Sequence, residues 1–317
     1  MNRRRLTFAL VAGLMGVNCT LVTAYGLHAV GQATLYGLVA GSYFALAAVG
    51  LTLVYGVLRL VNFAHGDLLT FGAYVAFLLN VTLGVAFVPA VLGAVAATGA
   101  LGVAFEAWLW RPMRRRGANL FQLLLISIGV AFLIRHGVQF FAGGQLRSFD
   151  VDIVSSVELL GLRLGRMQLT VMLVGITALI AMGLVLRYST IGKQMRALAD
   201  DLELAETAGI DTERVVIVTW LCAAGLGGLA GVLYAAAIGV LNPNLGFSLL
   251  LSLFASVMLG GIGSAYGALA GGLLIGVSQE WATLVFNPRW KPTVGFGILV
   301  LTLLVLPQGL FGRNRAL

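Results

Sequence analysis

Arg59, Asn62, His65 and Asp67 fall within the stretch LRLVNFAHGDLL, residues 58–69, between two apolar runs too long for a small soluble core. A guanidinium, a carboxamide, an imidazole and a carboxylate this close together in so apolar a chain point to a functional element. They could equally form a turn, since Asp ahead of an apolar run is a common helix start and Asn62, His65, Gly66 and Asp67 would then make that turn and its cap. Further ionisable residues lie inside apolar runs, at Glu106, Arg135, His136 and Glu280. Such groups are expensive to bury in lipid and are candidate functional sites by default. Glu106 and Glu280 lie near the ends of their runs, where they can reach water or a neighbouring helix. Arg135 is open to three readings: lining a path, pairing with another helix, or reaching out to the interface. No spacing suggests a Ser-His-Asp arrangement, and the three histidines do not cluster, so neither a catalytic site nor a metal site is expected. Cys19 and Cys222 lack CxxC spacing and read as buried thiols without metal or disulfide. No G-x-x-x-x-G-K-[ST] loop occurs, so ATP would have to be hydrolysed by a partner. The segment GGIGSAYG fails as a dinucleotide fingerprint, because Tyr266 stands where the third glycine belongs. No cofactor is expected.

The elements that must hold these residues are membrane helices. Of the 317 residues 60% are hydrophobic and only 10% charged, and the mean hydropathy is +0.99. Runs near the ~20 residues needed to cross ~30 Å of hydrocarbon fill most of the chain. They lie near 6–27, 33–57, 67–83, 86–109, 119–141, 168–187, 215–239, 247–261, 265–285 and 293–311. The expected fold is therefore an all-α polytopic membrane helical bundle, a single transmembrane domain over 1–317 with about 8–10 transmembrane helices. The run at 247–261 is short and ends in glycine, which leaves a full span, a broken helix and a re-entrant segment open. In lipid the 42 glycines favour close helix packing. Gly263, Gly267 and Gly271, four apart, are expected to share one packing face.

Lys and Arg set the orientation. Alternating these spans from a cytoplasmic N-terminus puts fourteen basic residues inside, five outside and Arg135 within a span. Both termini are then cytoplasmic, and the net charge of +8 is a topology signal rather than the mark of a nucleic-acid partner. Residues 1–27, MNRRR followed by an apolar run and VTA, also resemble a secretory signal peptide; an uncleaved span is the preferred reading. The outer loop 142–167 mixes apolar and charged residues, as a docking surface would. The inner loop 188–214 carries six acids, with Met195, Leu198, Leu202, Ala205 and Ile210 at roughly helical spacing. Gly209 suits the left-handed residue that ends a helix.

Within that loop Glu203-Leu204-Ala205, followed by Gly209, resembles the EAA-x3-G signature of ABC importer permeases, with Leu204 in place of the first alanine. GSYFALAAVGLTLVYGVLRLVNFAHGD at 41–67, LWRPMRRRGANLFQLLLISIGV at 109–130, GGIGSAYGALAGGLLIG at 260–276 and LPQGLFG at 306–312 resemble, in the same order, segments of branched-chain amino acid ABC permeases of the LivH type. The resemblance runs from about 33 to 312; the extra N-terminal run and Leu204 depart from it. It implies a non-catalytic permease in the bacterial cytoplasmic (inner) membrane, importing branched-chain or related amino acids by alternating access. The implied partners are two ATP-binding subunits, a second related permease and an extracytoplasmic substrate-binding protein. Glu203, Ala205 and Gly209 would sit in the helix that couples to the ATPase. Asn62, His65, Gly66 and Asp67, inside the recurrent NFAHGD motif, would form a re-entrant turn or inner gate. Urea and short-amide permeases resemble the same pattern, so the substrate stays open. An ion-coupled secondary transporter would need mid-span acids and inverted repeats, of which the sequence offers few and none that convince.

Overall fold

The computed structural model describes residues 3–152, 154–159 and 161–311. Gly312 of the LPQGLFG motif, and Arg313 and Arg315 of the inner charge count, lie outside the described residues. The protein is all-α and polytopic. The chain runs through α1 (Arg3–Tyr25), α2 (Leu27–Leu58), α3 (His65–Phe77), α4 (Phe87–Phe105), α5 (Arg111–Arg115) and α6 (Leu120–Ala142). A hairpin of β1 (Ser156–Leu159) and β2 (Leu162–Gly165) follows, then α7 (Arg166–Tyr188), α8 (Thr190–Asp200), α9 (Leu202–Thr207) and α10 (Thr212–Ile238). The last helices are α11 (Leu245–Gly260), α12 (Ala265–Ala282) and α13 (Lys291–Val305). Wide π turns at Leu78–Thr82 and Glu106–Trp110 extend α3 and α4.

Among the described residues five helices are long and apolar enough to cross a membrane: α2, α4 continued through α5, α6, α7 and α10. They divide into core and periphery. The most apolar window of α2 is 94% buried and that of α10 72%, against 28% for α4 and 22% for α7. A helix that is apolar all round belongs inside the protein, and small residues such as those of GSYFALAAVG let neighbours approach α2 from every side. α12 runs along α2, α10 packs on α2, α3 and α4, and α7 lies against α2. α3 and α11 are short, at 13 and 16 residues, or about 20 and 24 Å at 1.5 Å per residue. Neither alone covers the hydrocarbon thickness.

Local signals set most helix starts. Asn119 and Gln122 form a reciprocal capping box on α6. Ser189, Asp201, Asp211 and Ser264 cap α8, α9, α10 and α12 through side-chain oxygens. The loop 142–167 holds the β1–β2 hairpin, which helical periodicity could not announce. Gln32 near the start of α2 clasps it, donating to the Arg163 carbonyl at 2.6 Å and accepting from the Arg163 N–H at 3.0 Å.

Candidate functional site

The stretch 58–69 breaks the helical ladder and returns into the protein. α2 closes on Arg59, whose left-handed backbone (φ 54) lets its N–H reach the Tyr55 carbonyl at 2.8 Å. Residues 60–64 form no helix, and α3 starts at His65. The His65 Nε2 lies 3.0 Å from the carbonyl oxygen of Ala47, which precedes the end of α2 by about 16 Å of helix axis. The chain therefore folds back alongside α2 before α3 begins, and the start of α3 is buried in the bundle rather than at its edge: His65 and Asp67 are both 0% exposed.

One internal contact and two neighbouring helices hold this re-entrant turn. Within it, Asn62 Oδ1 accepts the N–H of Ala64 at 3.1 Å, an Asx turn. From α6, Ser127 Oγ accepts the N–H of Phe63 at 3.2 Å and donates to the carbonyl of Leu124. From α11, the ring of Phe254 packs 5.0 Å from that of Phe63. Asp67 does not cap α3. Ala64 occupies the cap position without a side-chain bond, and the Asp67 carboxylate accepts two hydrogen bonds from Arg135 on α6, Nε at 2.8 Å and Nη2 at 2.9 Å. The start-signal reading of Asp67 is thus corrected: a strong ion partner on another helix outcompetes local capping. The Arg135 guanidinium in turn lies over the Phe247 ring of α11, 4.1 Å from its centre.

α11 completes the joint by backbone contact. Thr70 Oγ1 accepts the N–H of Gly246 at 2.9 Å. A Cβ on Gly66 would stand 2.7 Å from the carbonyl oxygen of Gly246, and a Cβ on Gly246 would collide with that of Gly66. The starts of α3 and α11 therefore touch main chain to main chain, which side chains there would forbid. Asn62 Nδ2 and His65 Nδ1 are buried without a partner. The arrangement is a packed, partly unsatisfied joint between two short helices, in which the His65 Nε2–H donates to the Ala47 carbonyl and Gly50 and Gly227 lie beside the ring.

The loop 188–214 forms two helices. Met195 and Leu198 of α8 and Ala205 of α9 are buried, while Leu202 is 46% exposed. Leu202 departs from the expected stripe because Asp201 is extended (φ −153) and caps α9, so the helical phase restarts there. Glu203 is exposed. Gly209 follows α9 with φ 81, and its N–H meets the Glu206 carbonyl at 3.0 Å. On the same face, Arg111 and Arg115 both pair with Glu213, and Arg114 with the buried Glu106. The two pairs to Glu213 tie α5 to the start of α10, while Arg114–Glu106 holds α5 to the turn that ends α4.

The other sequence candidates separate. Glu280 pairs with Lys291 at 2.5 Å. His136 sits on the exposed side of α6, 3.3 Å from Gln139 Oε1. Gly267 and Gly271 of α12 lie against the backbone of Gly260 and Ser256 on α11. Gly263 does not share their face: it stands in the turn before α12 with φ 82 and open space where a Cβ would go. The packing stripe is shorter than the spacing suggested because α12 starts only at Ala265. Cys19 is exposed and Cys222 half-buried, so the reading of two buried thiols is corrected for Cys19. Ser127, Thr70 and Phe247 were not singled out in the sequence. Ser, Thr and Phe are ordinary in apolar helices, and only the approach of α6 and α11 to the turn gives them a role.

The chain matches, over residues 33–303, the family described as branched-chain amino acid transport system, permease component. It is 33% identical over 294 residues to the high-affinity branched-chain amino acid transport system permease protein LivH of Salmonella typhimurium, covering 87% of this chain and 94% of that one. It is 32% identical over 295 residues to the corresponding permease protein BraD of Pseudomonas aeruginosa, covering 89% and 95%. It is 24% identical over 302 residues to the permease protein LivM of Escherichia coli K12, covering 86% of this chain and 68% of that one.

Proposed function

The chain belongs to the family of permease components of branched-chain amino acid transport systems, and from that premise we propose that it is a membrane subunit of an ATP-driven importer of branched-chain amino acids. The observation that carries the reading is the 33% identity to LivH along nearly all of both chains. We place the multi-pass subunit in the bacterial cytoplasmic membrane with both termini inside. It pairs with a second permease of the LivM kind, receives substrate from an extracytoplasmic binding protein, and docks two ATP-hydrolysing subunits on α8 and α9.

The coupling logic is mechanical. α8 and α9 are short, capped at their starts, and joined to the bundle by Met195, Leu198 and Ala205. A push on their exposed side, which includes Glu203 and the Gly209 turn, is transmitted as a rigid-body shift, because packed helices move as units. The joint of α3 with α11 is where that shift opens or closes the inner side: its members touch glycine backbone to glycine backbone, and parting them breaks the Thr70–Gly246 hydrogen bond and withdraws Phe247 from Arg135. Branched-chain substrates, rather than urea or short amides, are favoured by the names LivH and BraD carry.

The test is reconstitution with the cognate ATPases, second permease and binding protein. Leucine uptake should require internal ATP and survive dissipation of ion gradients; uptake that persists without ATP and collapses with the gradient would replace this reading by a secondary transporter. Within the assembly, Gly209→Ala should cost about 1 kcal/mol through its left-handed φ and leave uptake coupled, since open space surrounds the position. Gly209→Glu carries similar backbone strain but adds a charge at the docking face, and should leave ATP hydrolysis running while uptake falls at least about tenfold. Equal coupling in the two variants would remove Gly209 from the interface.

A further inference from the structure

A cavity lies away from the α3–α11 joint. It measures about 460 Å³ and sits between the inner end of α2, the coupling helix α8 and the turn leading into α12. That volume is within the ~300–1,000 Å³ of small-molecule sites. Thr52 and Tyr55 face it from α2, Met195, Arg196 and Asp200 from α8, and Ser264 from the cap of α12.

Thr52 is the informative residue. Thr98, Thr219 and Thr302 each donate to the carbonyl four residues earlier, at 2.7 Å, the usual outlet for a hydroxyl in an apolar helix. Thr52 does not: its Oγ1 is buried without a hydrogen-bond partner, on a residue 2% exposed. A buried hydroxyl that ignores its own helix and lines a cavity is a group reserved for something else. Its surroundings match one chemical class. Arg196 gives one donor to the Leu186 carbonyl and retains others of its five for a carboxylate. Asp200 adds negative charge to the lining, and Leu53, Leu186 and Ile262 add an apolar wall. Two guanidiniums, Arg59 and Arg196, one carboxylate and an apolar wall in one cavity suit a free zwitterionic amino acid with an aliphatic side chain, its carboxylate on the cationic side.

We infer that this cavity binds the imported amino acid from the cytoplasmic side and slows further import. This rests on the transport reading above. A ligand here bridges α8 to both α2 and α12, so it favours the state in which the coupling helix and the bundle stay together and opposes any step that separates them; it shifts the cycle by its difference in affinity between the two states. Import would then fall as the cytoplasmic pool fills, with no regulatory domain required.

Two measurements test this on the complete complex. In nanodiscs without binding protein or nucleotide, radiolabelled leucine should bind saturably, and Thr52→Val should weaken binding by about tenfold, the loss of one good hydrogen bond. Ile262→Trp, at a position 37% exposed and so tolerant of size, should narrow the cavity and do the same. In right-side-out proteoliposomes with fixed internal ATP, initial leucine uptake should fall as internal leucine rises, be insensitive to internal lysine, and escape inhibition in both variants. Intact uptake indifferent to internal leucine, or inhibited equally in wild type and both variants, overturns the inference. Failure of the wild-type complex to take up any branched-chain amino acid overturns the transport reading instead, and the inference with it.

Discussion

Arg135→Leu should be among the most damaging single substitutions in this protein, costing about 3–5 kcal/mol, the range for removing one partner of a buried ion pair. The Asp67 side chain is 1% exposed, and Arg135 supplies both of its hydrogen bonds. Leucine would leave a carboxyl among apolar groups, which must either stay charged without a partner or take up a proton; both are unfavourable. Asp67→Asn should be milder. Arg135 would keep an oxygen acceptor and the Phe247 face, and its side chain, 10% exposed, can reach toward water as long basic side chains do. The double replacement Asp67→Leu with Arg135→Leu should recover part of the loss, because no unpaired charge remains. Melting of the purified protein in detergent, run as a double-mutant cycle, gives the coupling between the two residues. A cycle that closes with no coupling, or Asp67→Asn proving the worse single change, would dismiss the pair as a structural link.

The ion pair also marks how far the sequence could be read. Arg135 stood out because an arginine in mid-span is rare, but path lining, pairing and interface-seeking predict the same string of letters. Only the position of α6 beside the start of α3 selects pairing. Most of the helices were legible, since apolar length is a local property, and α11 was recognisable as short from its glycine end. Long-range placement was not. That residues 60–64 fold back along α2 depends on a contact between His65 and Ala47, and no periodicity encodes it. Asp67 shows the same limit: its sequence context reads as a cap, and the cap is overruled by a residue 68 positions away. The hairpin in the loop 142–167 was hidden for a different reason, its strands being four residues each and docked on Gln32 rather than on a sheet with its own alternating pattern.

The close approach of α3 and α11 leads to the second large effect, at Gly246. Gly246→Ala adds one methyl group, which in most helices is neutral or mildly stabilising. Here the methyl meets the carbonyl of Gly66, and neither side of that contact is a rotatable side chain. Relief requires α11 to move away from α3, which breaks the Thr70–Gly246 hydrogen bond and pulls Phe247 off Arg135. Overpacking alone costs about 1–3 kcal/mol, and the lost hydrogen bond adds about 1 kcal/mol. The variant should melt lower and, where it still assembles, take up substrate at least about tenfold more slowly, because the joint that has to close no longer can. Gly297→Ala on α13 is the matched control: nothing lies within 4 Å of its Cβ position, so uptake and melting should stay at the wild-type level. Should Gly246→Ala behave like Gly297→Ala, the contact between the two short helices would be incidental to transport, and the moving element would have to be sought at the α11–α12 contact, where Gly267 meets Gly260 by the same backbone-to-backbone packing.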